Sequence, residues 1–260
     1  MKNLRDKWAL VTGASSGFGI EFARLLAERG SNLVLVARRA EPMEKLAEEL
    51  RTHSVQVVVV AMDLCRIGIG TTLKSDLDSR GIAIDILVNN AGFGLYGNFL
   101  DMPLKTITDM MQLNMLTVTE LTHVFAHDMI DRKGGHILLL ASLLGYQAVP
   151  GYAVYAATKA YVLQFGEALH QELQSQGVAV TALCPGLSAT SFVEIAGQKL
   201  SPLLKMMMMK PHPVAEAGIL AMLKRRATVV PGFMNKATVF LDRIMPRSMQ
   251  RSVLGKIVAA

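Results

Sequence analysis

Only two cysteines occur in the 260 residues, Cys65 and Cys184, far apart and outside any CxxC pair. Their scarcity argues against a disulfide framework and a cysteine-built zinc site, and suits a reducing compartment, so a cytoplasmic location is expected. No apolar run approaches the roughly 18 residues that would mark a membrane span. The opening segment, with its basic start, leads directly into an apolar stretch and a Gly-rich turn. It reads as a strand rather than a secretory leader. Internal repeats and linker-like stretches are missing too, so one domain over residues 1–260 is expected. No platform of alternating aromatic and basic side chains offers itself to bases, and nucleic acid is not an expected partner.

What is present is apolar. The chain is 51% hydrophobic and 18% charged, with a mean hydropathy of +0.34, ample for a large core. The net charge of +6 is unevenly placed. From Ala196 onward eleven Lys and Arg face only Glu216 and Asp242, so that stretch carries +9 and the rest of the chain −3. The basic character belongs to the tail.

Strand-length runs of Val, Leu and Ile recur at Trp8–Thr12, Asn32–Ala37, Gln56–Ala61, Ile84–Asn89, His136–Ser142, Ala179–Cys184 and Thr228–Val230. They lack period-two alternation, as strands buried on both faces do. Between them, helices are predicted near Phe18–Arg29, Pro42–His53, Ile69–Arg80, Pro103–Arg132, Tyr152–Gln176 and Pro213–Lys224. This β-α-β rhythm predicts an α/β fold with a doubly wound, Rossmann-type parallel sheet of about seven strands and helices on both faces.

The first strand ends in Thr12-Gly13-Ala14-Ser15-Ser16-Gly17-Phe18-Gly19 and passes into a helix. Glycines there allow a tight turn and let the backbone approach a pyrophosphate at the helix N-terminus. Taken alone, the turn is also compatible with an ordinary strand–helix connection. The spacing departs from GxGxxG, and no Lys-Ser/Thr follows, which disfavours nucleoside triphosphate binding. The second strand ends at Ala37 and is followed by Arg38 and Arg39, with no acid before Glu41. An acid at that point would serve the 2′-hydroxyl of NAD, whereas a guanidinium pairs with the 2′-phosphate of NADP. NADP(H) is therefore the expected cofactor, against the alternative of a solvated basic pair opening a helix.

Tyr155 and Lys159 stand four apart on a predicted helix, one turn apart on one face. A cation about 4 Å from a phenol, at an effective dielectric near 20, is worth roughly 4 kcal/mol, or about three pKa units. That shift predicts a phenol near neutrality, able to give and take a proton. A Tyr and a Lys at this spacing are otherwise plain helix neighbours.

Read together, TGASSGFG, Asn89-Asn90-Ala91-Gly92, Asn114, Ser142, Tyr155-xxx-Lys159 and Pro185-Gly186-xxx-Thr190 resemble the short-chain dehydrogenase/reductase family, in order, from Lys7 to about Thr190. The resemblance implies catalytic roles for four residues. Ser142 would bond the substrate oxygen and Tyr155 act as general acid or base. Lys159 would lower the Tyr pKa and hold the nicotinamide ribose, and Asn114 would fix a relay water. It further implies a pyrophosphate turn at Gly13, Ser15, Ser16, Gly17, Phe18 and Gly19, and a 2′-phosphate site at Arg38 and Arg39. Asp63 and Leu64 would meet the adenine, and Asn90, Ala91 and Gly92 the adenosine ribose region. Pro185, Gly186 and Thr190 would lie by the carboxamide. No metal is required.

Three segments remain. Glu120, His123 and His127 share a helical face at a spacing that could hold zinc, but HExxH and a fourth ligand are missing, and structural histidines are expected. Met206 to Met209 fall in a segment, 191–226, that the resemblance makes a substrate-covering one. Flexible Met side chains suit a lid over an apolar substrate, or a plain core helix or interface. The extension 231–260 mixes Phe240, Leu241, Ile244 and Met245 with basic residues. It packs on the body or a partner subunit, or touches an anionic membrane peripherally.

Alanines 153, 157, 160 and 168 lie away from the Tyr155 face, and the resemblance implies a homo-oligomer through that helix. The expected activity is an NADP-dependent oxidoreductase for a small or medium apolar carbonyl or alcohol. The alternatives are a lipid- or acyl-directed ketoreductase at a membrane surface, and a non-catalytic NADP-binding redox sensor.

Overall fold

The computed structural model describes residues 4–190, 192, 196–198, 201, 206 and 208–259. Seven parallel strands form one sheet in the order β3-β2-β1-β4-β5-β6-β7. They are β1 (Trp8–Thr12), β2 (Asn32–Ala37), β3 (Val57–Ala61), β4 (Ile84–Asn89), β5 (Gly135–Leu140), β6 (Val178–Leu183) and β7 (Thr228–Val229). The helices between them are α1 (Phe18–Ala27), α2 (Ala40–Arg51), α3 (Ile69–Ser79), α4 (Leu104–Met111), α5 (Val118–Asp131), α6 (Ala153–Gln174) and α7 (Pro211–Leu223). Two more follow the last strand, α8 (Phe233–Ile244) and α9 (Arg247–Ala259).

Each strand serves two cores, which explains its unbroken apolar run. Ala9, Val11, Leu33, Leu35, Ile86 and Val88 pack on one side with Phe22 of α1, Met43 of α2 and Ile219 of α7. Leu10, Val34, Val36 and Leu87, one residue out of step, pack on the other with Leu73 of α3, Phe125 of α5 and Leu163 of α6. Alternation is present in direction but invisible in composition, because both faces are covered.

Strand order reverses between β1 and β4. The chain leaves β1 for α1 on one face and leaves β4 toward the other, so a crevice opens beyond the carboxyl ends of these strands. Two expectations need correction. The single predicted helix Pro103–Arg132 is α4 and α5 joined by a π-helical segment, Gln112–Thr117. β5 ends at Leu140, before Ser142, which instead caps a 3₁₀ turn at Leu143–Tyr146. The extension after Pro231 is two helices. Of the expected substrate-covering segment, Ser191, Met207 and residues 193–195, 199–200 and 202–205 lie outside the described residues, as do the side chains of Val253, Leu254 and Ile257.

Candidate active site

The crevice holds a cavity of about 1040 Å³. Of the residues singled out in the sequence, Gly13, Ser15, Ser16, Gly17, Phe18, Arg38, Arg39, Asp63, Leu64, Asn90, Ala91 and Gly92 line it. So do Ser142, Tyr155, Lys159, Pro185, Gly186 and Thr190. Gly19 and Asn114 are not in its wall; both stand behind it and shape it.

The turn after β1 is shaped by glycines. Gly13 (φ +67) and Gly17 (φ +57) adopt left-handed backbone. A Cβ on Gly13 would come within 2.8 Å of the Asn90 amide, and one on Gly19 would collide with the Gly13 carbonyl. Gly17 caps α1 with no side-chain bond. The Gly19 amide turns back to the Ser16 carbonyl at 3.2 Å, and the positive end of the helix dipole beside it favours an anion. This cradle fits a dinucleotide pyrophosphate.

A latch missed in the sequence holds the turn to β4. The Thr12 hydroxyl donates to the Val88 carbonyl at 3.2 Å and accepts from the Asn90 and Ala91 amides, each at 2.9 Å. Asn90 Nδ2 donates to the Thr12 carbonyl at 2.8 Å. Asn90 thus acts on the turn as well as on the wall. The only signal for Thr12 was a hydroxyl at the buried end of an otherwise apolar strand.

At the far end, Arg38 and Arg39 are exposed, and neither forms an ion pair among the described residues. The nearest acid in sequence, Glu41, is taken by Lys45 at 2.7 Å. Asp63 closes its own turn by accepting from the Cys65 amide at 3.1 Å.

At the other end Tyr155 and Lys159 rise from the start of α6, 6% and 5% exposed. Lys159 Nζ donates to the Leu140 carbonyl at 2.7 Å and lies 5.7 Å from the Tyr155 ring centroid. Burial pulls the ammonium down to about 8. Burial also pushes the Tyr155 phenol up, with the Ser142 hydroxyl bonded to it pulling the other way. The expected phenol near neutrality is therefore not what these side chains produce. Desolvation sets both directions, and Lys159 is drawn to the Leu140 carbonyl at the end of β5.

Asn114 is fully buried in the π segment. Its side chain donates to the Phe93 carbonyl at 2.9 Å and to Thr158 Oγ1 at 3.1 Å, and accepts from the Phe93 amide at 3.2 Å. Both amide protons are used, so the side chain ties the β4 loop to α6.

An aromatic cluster that sequence reading did not find covers Tyr155. Phe192 lies 5.0 Å from it and Tyr152 5.9 Å, with Tyr96 5.2 Å beyond Tyr152, ring centre to ring centre. Tyr152 donates to Gln198 at 2.7 Å. Scattered aromatics 96, 152 and 192 share no periodicity that a sequence could display. The zinc-spaced trio is otherwise occupied: Glu120 accepts from the Gly70 amide at 3.0 Å, while His123 and His127 stack edge to face. Cys184 is buried, its thiol pushed up to about 12 by burial, as an inert core thiol should be.

Known proteins resemble the chain in sequence and fold. The short chain dehydrogenase family model matches residues 7–200. Over 194 residues the chain is 34% identical to the very-long-chain 3-oxoacyl-CoA reductase of Bos taurus, covering 73% of this chain and 62%, less than two thirds, of that protein. A short-chain dehydrogenase from Sphingobium yanoikuyae, solved in complex with NADPH, superposes with a TM-score of 0.81 at 29% identity, covering 93% of this chain and 97% of the other. A short-chain dehydrogenase/reductase from Burkholderia phymatum in complex with NAD gives 0.83 at 25%, covering 96% and 97%.

Proposed function

Since the chain belongs to the short-chain dehydrogenase/reductase family, an oxidoreductase family, we propose that it is an NADP-dependent reductase of apolar ketones, with Tyr155 as the proton donor. The observation that carries this reading is the Ser142–Tyr155–Lys159 group, buried at one end of a cavity whose other end is an exposed Arg38–Arg39 couple with no ion pair among the described residues.

The bound nicotinamide supplies the hydride. Gly13 to Gly19 would hold the pyrophosphate, Arg38 and Arg39 the 2′-phosphate, and Asp63 and Leu64 the adenine. Asn90, Ala91 and Gly92 would line the adenosine ribose, Lys159 the nicotinamide ribose, and Pro185, Gly186 and Thr190 the carboxamide.

The protein's own residues do the rest. A phenol pushed up by burial is protonated at neutral pH, the form required to give a proton to an oxygen gaining negative charge. Ser142 bonds that phenol and would bond the same oxygen, so two hydroxyl donors converge where the charge develops. Lys159, held by the Leu140 carbonyl, is the cation that restores the phenol's proton, with Asn114 fixing the far end of the relay.

The wall near Tyr155 is apolar, formed by Phe93, Leu143, Leu144, Leu187 and Phe192. The bovine relative's name denotes a reductase of very-long-chain acyl substrates. Both support a bulky apolar substrate.

Tyr155→Phe tests the assignment. NADPH oxidation with a panel of ketones should fall by about 10²–10⁴-fold, while NADPH binding, read by fluorescence, persists. A variant that keeps turning over would remove Tyr155 from the chemistry. Wild-type protein that binds NADPH but reduces no ketone would instead favour a redox sensor.

A further inference from the structure

Helix α8 turns two polar residues toward the body beside the buried Val239: Asn235 Nδ2 donates to the Pro231 carbonyl at 2.8 Å, and Asp242 accepts from Gln147 Nε2 at 2.6 Å. Its larger apolar residues face outward. Phe233 is 83% exposed and Ile244 68%, with Met234, Phe240 and Leu241 also exposed. Positions 233, 237, 240, 241 and 244 follow helical spacing and form one stripe about a third of the way round. Lone exposed apolar side chains are ordinary, but a continuous stripe marks an interaction surface.

The charges around the stripe have one sign. Lys236 and Arg243 border it on α8, and Arg247 and Arg251 continue onto α9. All four are exposed, and none forms an ion pair among the described residues. The sole acid between Phe233 and Ala259 is Asp242, which is turned inward onto Gln147.

We propose that this face docks on an anionic lipid bilayer. The stripe would enter the boundary between headgroups and acyl chains, and the four cations would meet the headgroup charge. A second copy fits the face poorly. A two-fold contact through the same patch would set these cations against each other with no acid to pair them.

The position of the helices gives docking a consequence. Asn235 stands against Gly186, Gln147 lines the cavity, and Gly255 of α9 lies against Pro150, next to the Tyr96–Tyr152 pair. The inner side of α8 therefore walls the Tyr155 end of the cavity, and docking would set the bilayer one helix away from it. The docking itself stands on the surface alone and does not depend on the chemistry assigned to the cavity.

Vesicle co-sedimentation of the full chain tests it, with phosphatidylcholine alone and with phosphatidylcholine–phosphatidylserine mixtures. Wild-type protein should partition onto the anionic vesicles at least about tenfold more strongly, and high salt should remove the difference. Arg243→Ala with Arg247→Ala should weaken that partition by about fivefold per arginine. Phe240→Ser, Leu241→Ser and Ile244→Ser together should abolish it while leaving the melting temperature nearly unchanged, since all three side chains are exposed.

Failure of the wild type to bind anionic vesicles would overturn the proposal, as would undiminished binding by the triple variant. A wild-type oligomer that the triple variant splits into monomers, seen by sedimentation velocity, would assign the face to self-association and overturn it equally.

Discussion

Replacing Lys159 by Met should remove a pH-dependent loss of stability that the wild type carries. Burial takes the ammonium from its ordinary 10.5 to about 8. Between those values the unfolded chain holds a proton that the folded one has released, so wild-type stability rises with pH across the window. Below pH 8 the folded protein bears the full cost of the buried charge, about 3 kcal/mol. Five groups raised by burial oppose the rise at higher pH. Cys184, pushed up to about 12, and Cys65, Tyr146, Tyr152 and Tyr155, also pushed up, keep protons that the unfolded chain loses. Stability contributed by those groups falls above about pH 9, leaving pH 8–9 as the clean interval. There Lys159 contributes a gain of about 1 kcal/mol, or roughly 2–4 °C in a domain of this size.

The variant also leaves the Leu140 carbonyl without its 2.7 Å donor, which costs about 1–3 kcal/mol at every pH. The slope, not the level, therefore decides. Thermal melts of nucleotide-stripped protein at pH 7, 8 and 9 and constant ionic strength should show the wild type gaining on Lys159→Met between pH 8 and 9. Parallel curves would mean that the ammonium is solvated, and that desolvation does not set the ionisation of the Tyr155–Lys159 pair.

Other perturbations probe the remaining parts. Arg38→Leu should lower kcat/KM for NADPH by about fivefold to tenfold, the range of an exposed charge-assisted pair, with little change for NADH; steady-state kinetics with both nucleotides reads the ratio. Phe192→Ala should open the space beside the Tyr155 ring and raise kcat/KM for bulky aryl ketones relative to small ones, measured on paired substrates. Gly19→Ala forces a methyl into the Gly13 carbonyl, so the melting temperature and nucleotide affinity should fall together, with a stability cost of about 1–3 kcal/mol.

Much of the architecture was legible in the chain because covered parallel strands leave a plain signature. All seven strands lie where their apolar runs predicted, within two residues at each end. The sheet's switch point then delivers Gly13, Arg38, Asn90 and Ser142, which follow strand ends, and Tyr155 at the start of α6 to one cavity. The break at Gln112–Thr117 was not legible, since a π-helical turn changes hydrogen bonding without changing composition. Nor was the cover of Tyr96, Tyr152 and Phe192, which come from three separate loops and helices.

Local sequence by itself determined the order of strands and helices, the glycine turn and the spacing that puts Tyr155 and Lys159 on one helical face. Those depend on backbone sterics and on periodicities of 2 and 3.6, which are properties of neighbours in the chain. Tertiary structure alone decided how the phenol and ammonium ionise, because desolvation depends on everything packed around them. It also decided which side of α8 faces out, because an amphipathic helix states that it has two faces but not which one the body will cover.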